Sequence, residues 1–135
     1  YKINTLIPMK IISILVKRMN KKNFGRVVNC SSIGVKFGGG KSTFNYSMSK
    51  KSLEFIPNTV RNLAKKNILF NVVRLGVIDT KMHAKIKNKN MKEREKLIPV
   101  GRKANISEII KPLYFLSSSE NTYITGEVIN ISGGE

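Results

Sequence analysis

Three short apolar runs, each breaking at glycine or hydroxyl residues, constrain this chain more than any other feature. Gly25-Arg26-Val27-Val28-Asn29-Cys30-Ser31-Ser32 reads as a buried strand ending in two hydroxyls. Asn67 to Thr80 reads as a second strand that breaks at Gly76, and Tyr123 to Gly134 as a third, short strand running into a glycine pair. The intervening stretches are long enough for helices. A strand followed by a helix and another strand returns parallel to the first through a right-handed crossover. The fold class implied is α/β, part of a doubly wound, Rossmann-like parallel sheet with flanking helices. Ligands of such sheets bind at the carboxyl ends of the strands, where Ser32 and the turn from Gly76 to Thr80 fall.

Helix signals fill the gaps. Leu6, Ile7, Ile11, Ile14, Leu15 and Met19 recur near helical periodicity, and the basic cluster from Lys17 to Lys22 suits a helix C-terminus, so a helix is expected from Tyr1 to about Asn20. Gly38-Gly39-Gly40 marks a loop. The next helix is expected from about Thr43 to Lys66, kinked at Pro57, where a hydrogen bond is lost. Residues 81–98 form a lysine-rich, weakly amphipathic segment that Pro99-Val100-Gly101-Arg102 interrupts. A last helix is expected to begin near Ser107-Glu108, with these residues as cap and acidic first turn and with Pro112 early enough to be tolerated.

At 135 residues the chain suffices for one modest domain, with no repeat and no interdomain linker. It nevertheless reads as a fragment: it opens inside a helix pattern, without an initiating methionine. The net charge of +17 raises nucleic acid or an anionic membrane as a partner. The lysines are scattered over every segment, however. The densest basic stretch, Lys81 to Lys103, also holds Glu93 and Glu95 and has no aromatic ring to stack a base. Neither nucleic acid nor membrane is therefore expected as a partner. No run is long and apolar enough to cross a bilayer and no cleaved signal pattern is present, so the cytoplasm is the expected location. The single cysteine, Cys30, sits in an apolar strand and is expected to be a buried structural thiol. His83, the only histidine, lacks neighbouring ligands, so no metal site is expected.

Two patterns carry chemistry. In Asn45-Tyr46-Ser47-Met48-Ser49-Lys50, a spacing of four puts a phenol and an ammonium on one helical face. The positive charge favours the phenolate, which makes Tyr46 a plausible proton donor and acceptor. Separately, Gly39-Gly40-Lys41-Ser42-Thr43 imitates a phosphate-binding loop of the form GxxxxGK[ST]. The first glycine of that motif falls on Val35, so a nucleotide-binding reading is the weaker rival.

Strand, serine, YxxxK helix, strand, glycine turn with threonine, basic segment, helix, strand and Gly-Gly, in that order, resemble the C-terminal part of the short-chain dehydrogenase/reductase family over essentially the whole chain. The family's glycine-rich dinucleotide fingerprint belongs to a preceding half, and no GxGxxG occurs here. The resemblance implies hydride transfer between NAD or NADP and a carbonyl or alcohol. It implies that Tyr46 passes the proton, that Lys50 supports the phenolate and bonds the nicotinamide ribose, and that Ser32 donates to the substrate oxygen. It also implies that Asn4 holds a water in the proton relay. Ser32 lies fourteen residues before Tyr46, one more than the family spacing, which implies an extra residue in the glycine loop and leaves Ser31 as the alternative.

Leu75-Gly76-Val77-Ile78-Asp79-Thr80 resembles the family's PGxxxT turn, with leucine in place of proline. By resemblance, the Ile78 backbone and the Thr80 hydroxyl contact the cofactor, and residues 81–104 form a lid. A homodimer or homotetramer is implied as well. The stretches Pro99-Val100-Gly101-Arg102 and Ile124-Thr125-Gly126 look most like the branch that holds 3-oxoacyl-carrier reductases and sugar or steroid alcohol dehydrogenases. A basic lid suits an acidic carrier protein or a phosphorylated substrate. The alternative is a non-catalytic truncated form without the adenosine site. The choice between NAD and NADP is set by a residue of the preceding half.

Overall fold

The computed structural model describes residues 1–80 and 91–135. Three parallel strands, β1 (Gly25–Ser32), β2 (Ile68–Leu75) and β3 (Val128–Ile131), form one sheet in the order β1-β2-β3. Ser32 lies opposite Leu75, and Leu75 opposite Ile131, so the three strands end in one row. That row brings the residues just beyond each strand to a common rim.

β2 is the centre of the sheet and is buried along most of its length, with Ile68, Val72 and Val73 fully shielded from solvent. A central parallel strand covered on both faces needs such a continuous apolar run. Val60, Phe70 and Val72 form the core, joined by Ile12, Val27, Ile56 and Val128. Burying each such side chain stabilises the fold by about 1.5–3 kcal/mol. The polar exception, Asn71, is fully buried and fully used. Its Nδ2 donates to Ile124 O at 2.7 Å and its Oδ1 accepts from Glu127 N at 3.2 Å, which pins the 124–127 turn against β2.

Around the sheet lie α1 (Ile7–Lys22), α2 (Phe44–Lys51), α3 (Val60–Ala64), α4 (Met91–Lys96) and α5 (Ile106–Ser117). A single π-helical turn, Lys2–Leu6, precedes α1. The first helix runs slightly past the expected Asn20. It stops where Asn23 takes up a left-handed conformation (φ 49°) and donates its N–H to Met19 O, an arrangement that asparagine tolerates.

The long helix expected from Thr43 to Lys66 is interrupted, not kinked. α2 passes into a 3-10 turn at Ser52–Glu54, Phe55 is extended, and helix resumes only at Val60. Pro57 cannot donate to the carbonyl of Leu53 and pushes the residue before it out of the helical region. Asn29 Nδ2 takes over that carbonyl at 3.0 Å, which makes the break compatible with burial.

Three other expectations are corrected. α5 starts at Ile106, with Asn105 as its N-cap, and the Glu108 carboxylate receives the Asn105 N–H at 2.8 Å; Ser107 is not the cap. Pro112 lies in the interior of α5, past the first turn. Cys30 is exposed, because the end of β1 opens into a cleft rather than into the core. His83 and residues 81–90 of the expected lid lie outside the described residues. No helix among the described residues is long and apolar enough to cross a membrane.

Candidate active site

A cleft of about 970 Å³ opens at the carboxyl ends of β1 and β2. Its walls include Asn4, Ser32, Tyr46, Lys50, Ile78 and Thr80, so the residues that the resemblance assigns to catalysis and cofactor contact line one cavity. A smaller cavity of about 190 Å³ lies beyond Gly76 and Val77, against Ile98, Val100 and Ile109, and holds none of those residues.

The two serines have different surroundings. Ser31 is buried, and its hydroxyl is engaged with Glu54 Oε1 at 2.9 Å and Lys50 O at 3.2 Å. Ser32 is half-buried at the strand end, where its Oγ accepts the Gly34 N–H at 3.2 Å as the cap of a short 3-10 turn. That bond uses a lone pair and leaves the hydroxyl hydrogen for an acceptor in the cleft.

α2 presents Tyr46, 44% exposed, and the half-buried Lys50 to the same cavity; Ser47, which also lines it, and Ser49 are buried. Lys50 Nζ donates to Cys30 O at 3.0 Å. Asn4 reaches the same helix, donating from Nδ2 to Ser49 Oγ at 3.2 Å, and Ser49 Oγ donates to Tyr46 O at 2.8 Å. The glycine loop fits tightly over the helix start: a Cβ on Gly39, whose φ is +75°, would stand 2.6 Å from Ser47 Oγ.

That loop is not a phosphate cradle. Gly38 N donates to Val35 O, Gly39 N to Gly34 O, Gly40 N to Thr43 Oγ1 and Thr43 N to Gly40 O. A phosphate-binding loop needs these amides turned toward the anion, and here the loop itself consumes them.

The turn after β2 is built to face the cleft. Gly76 crosses Ser132 so closely that an added Cβ would lie 2.7 Å from Ser132 Cα, which explains the glycine. Ile78 then pairs with Ala104 as an isolated parallel bridge, through Ala104 N to Val77 O at 2.9 Å and Asp79 N to Ala104 O at 3.0 Å. In such a bridge the bonds come from the flanking residues, so the N–H and C=O of Ile78 itself point away from Ala104. One donor and one acceptor on a free edge suit a carboxamide, and with the Lys50 ammonium and the Thr80 hydroxyl nearby the residues present fit the nicotinamide–ribose half of a dinucleotide.

Sequence reasoning missed two further features. Arg94, on α4, lines the cleft and is ion-paired with Glu135. Beneath the cleft, Glu54 is paired bidentately with Arg74, at 2.7 and 2.8 Å, and with Lys51 at 3.0 Å. Burial alone pushes the Glu54 carboxyl up, but the hydrogen bonds from Arg74, Lys51 and Ser31 and the charge of Arg74 outweigh it and bring the value down to about 2. The available signal was a lone acid inside the apolar run Leu53-Glu54-Phe55-Ile56, in a chain with only 8 acidic residues against 25 basic ones. Among the described residues no group of three His, Cys, Asp or Glu side chains could hold a metal.

A family model described as enoyl-(acyl carrier protein) reductase matches residues 1–135. The 3-oxoacyl-[acyl-carrier-protein] reductase FabG of Aquifex aeolicus is 38% identical over 120 residues, which cover 88% of this chain and 48% of the relative. The enzyme of the same description from Thermotoga maritima is 35% identical over 125 residues, covering 92% of this chain and 50% of its own length. The solved structure of ElxO with NADP bound is 27% identical, with a TM-score of 0.79 over 91% of this chain and 51% of that one. The chain thus spans about half the length of the curated relatives it matches.

Proposed function

Because the chain belongs to the short-chain dehydrogenase/reductase family of oxidoreductases, we propose that its cleft is the hydride-transfer half of an NAD- or NADP-dependent reductase, acting on a carbonyl or the corresponding alcohol. One observation carries this reading: Ser32, Tyr46, Lys50, Ile78 and Thr80, drawn from three separate stretches of sequence, meet in one cleft at the strand ends. A nicotinamide cofactor supplies or accepts the hydride when bound. The backbone of Ile78 and the hydroxyl of Thr80 orient its carboxamide end, and the Lys50 ammonium bonds the ribose.

In the reducing direction, the Ser32 hydroxyl donates to the substrate carbonyl oxygen and stabilises the negative charge that develops there. Tyr46 gives up its phenolic proton to that oxygen, and the reverse steps serve oxidation. Asn4 holds a water in the proton relay, and its hydrogen bond to Ser49 of α2 supports this reading. The substrate proposed is a 3-oxoacyl group carried on an acyl carrier protein, as the names of the two bacterial relatives describe for those enzymes. A homodimer or homotetramer is proposed through α1, whose Ile7, Ile11, Ile14 and Leu15 are exposed.

The test is oxidation of NADPH or NADH by a 3-oxoacyl thioester, comparing the wild type with Tyr46→Phe. Loss of roughly 10²–10⁴-fold in turnover is expected. Turnover unchanged in Tyr46→Phe contradicts the role of the phenol. A wild-type chain without turnover and without thermal stabilisation by either cofactor favours the rival reading, a non-catalytic truncated form.

A further inference from the structure

Glu54 does not line the cleft, yet it joins the end of the helix bearing Tyr46 and Lys50 to both β1 and β2. Its side chain is 3% exposed and receives four hydrogen bonds from three elements. Ser31 Oγ of β1 and Arg74 Nε of β2 donate to Oε1, while Arg74 Nη2 and Lys51 Nζ at the end of α2 donate to Oε2.

Ser31 also faces the backbone carbonyl of Lys50, and Lys50 Nζ donates to the carbonyl of Cys30. Residue 50 is therefore held to β1 through its side chain, while its backbone carbonyl and the Glu54 carboxylate are the two acceptors around the single hydroxyl hydrogen of Ser31. By taking the shorter of these two contacts, Glu54 fixes the orientation of the Ser31 hydroxyl beside Lys50.

A buried ion pair is a poor device for stability alone, since a well-packed apolar pair of similar volume does as well or better. A bidentate guanidinium–carboxylate pair does fix direction, because the planar fork accepts only one approach. The same engagement commits Ser31 to the support side, so that only Ser32 of the two serines keeps a hydroxyl hydrogen toward the cleft.

We propose that Glu54, clamped by Arg74, is a positioning residue that sets Lys50, and through it Tyr46, at the correct place and angle relative to Ser32. The proposal rests on the hydride-transfer reading of the cleft, and its test separates the two. The double variant Glu54→Met/Arg74→Leu removes the fork while keeping the volume apolar. Three quantities are compared with the wild type: the melting temperature, the ¹H–¹⁵Nζ resonance of Lys50, and turnover of a 3-oxoacyl thioester, with Tyr46→Phe as control.

Positioning requires that the double variant melt cooperatively within a few degrees of the wild type while the Lys50 resonance shifts and turnover falls roughly 10²-fold, the cost of displacing a reacting group by about 1 Å. A folded double variant with an unmoved Lys50 resonance overturns the proposal. If the double variant does not fold, Glu54→Gln replaces it. That change keeps the shape but sets an amide N–H₂ against the Arg74 and Lys51 donors, and an unmoved resonance there overturns the proposal equally. Turnover that survives Tyr46→Phe contradicts the hydride-transfer reading instead, and the Lys50 resonance still reports on Glu54 by itself.

Discussion

Lys50 Nζ stands 3.0 Å from the carbonyl oxygen of Cys30, so the ammonium one turn beyond Tyr46 is anchored to the residue that precedes the serine pair. Replacing Lys50 by methionine removes that donor while the stem still packs. Stability is expected to fall by only about 1 kcal/mol, since the bond lies near solvent. Binding of reduced nicotinamide mononucleotide, which carries the ribose without the adenosine, is expected to weaken about tenfold, equivalent to ~1.4 kcal/mol. Thermal unfolding and a binding titration check the two numbers separately. A stability loss with unchanged binding restricts Lys50 to a packing role.

Gly76→Ala sets a methyl group 2.7 Å from Ser132 Cα, a backbone atom that cannot rotate away. The expected cost is about 1–3 kcal/mol of overpacking strain. Urea unfolding of the variant should show a lower midpoint with an unchanged slope. A midpoint equal to the wild type means that the 75–77 and 131–133 segments separate more easily than their crossing suggests.

Asn29 completes the carbonyl that Pro57 leaves without a donor. Asn29→Val is therefore expected to cost about 1–3 kcal/mol, the range for stranding a buried acceptor. Adding Pro57→Ala restores a backbone N–H four residues after Leu53 and should recover part of the loss. Denaturant curves for both single variants and the double variant measure the coupling, and strictly additive losses rule out a shared carbonyl.

Acid stability depends on Glu54. Its carboxyl is held at about 2, below the ordinary value of 4.5, so its contribution is fully present above pH about 4.5 and is lost as pH falls toward 2. Removing one partner of a buried pair costs roughly 3 kcal/mol. Glu54→Gln should therefore lower the unfolding midpoint at neutral pH and flatten its dependence between pH 4.5 and 2. Parallel curves for variant and wild type through that window contradict the assignment.

Much of this was legible in the sequence, for identifiable reasons. Strand run 68–75 is largely apolar because β2 is covered along most of its length, so composition marks it, whereas run 25–32 is marked by its valine pair and the hydroxyls that end it. Tyr46, Lys50, Ser32 and the 76–80 turn could be read because the alternation of strand and helix places strand ends together. The break in the helix after Lys51 could not be read in full. Pro57 marks it, but its depth depends on Asn29, which comes from a strand almost thirty residues earlier. The exposure of Cys30 depends on where the cleft lies, and the Glu54–Arg74 pair joins residues twenty positions apart. Such contacts exist only once the sheet is assembled.

The most direct measurement is a map of backbone and side-chain chemical shifts of this chain as reduced nicotinamide mononucleotide is added. If the cleft at the ends of β1 and β2 is the hydride-transfer site, the saturable shifts should gather at Ser32, Tyr46, Lys50, Ile78 and Thr80. Shifts that gather instead around Ile98, Val100 and Ile109, or no saturable shifts at all, contradict it.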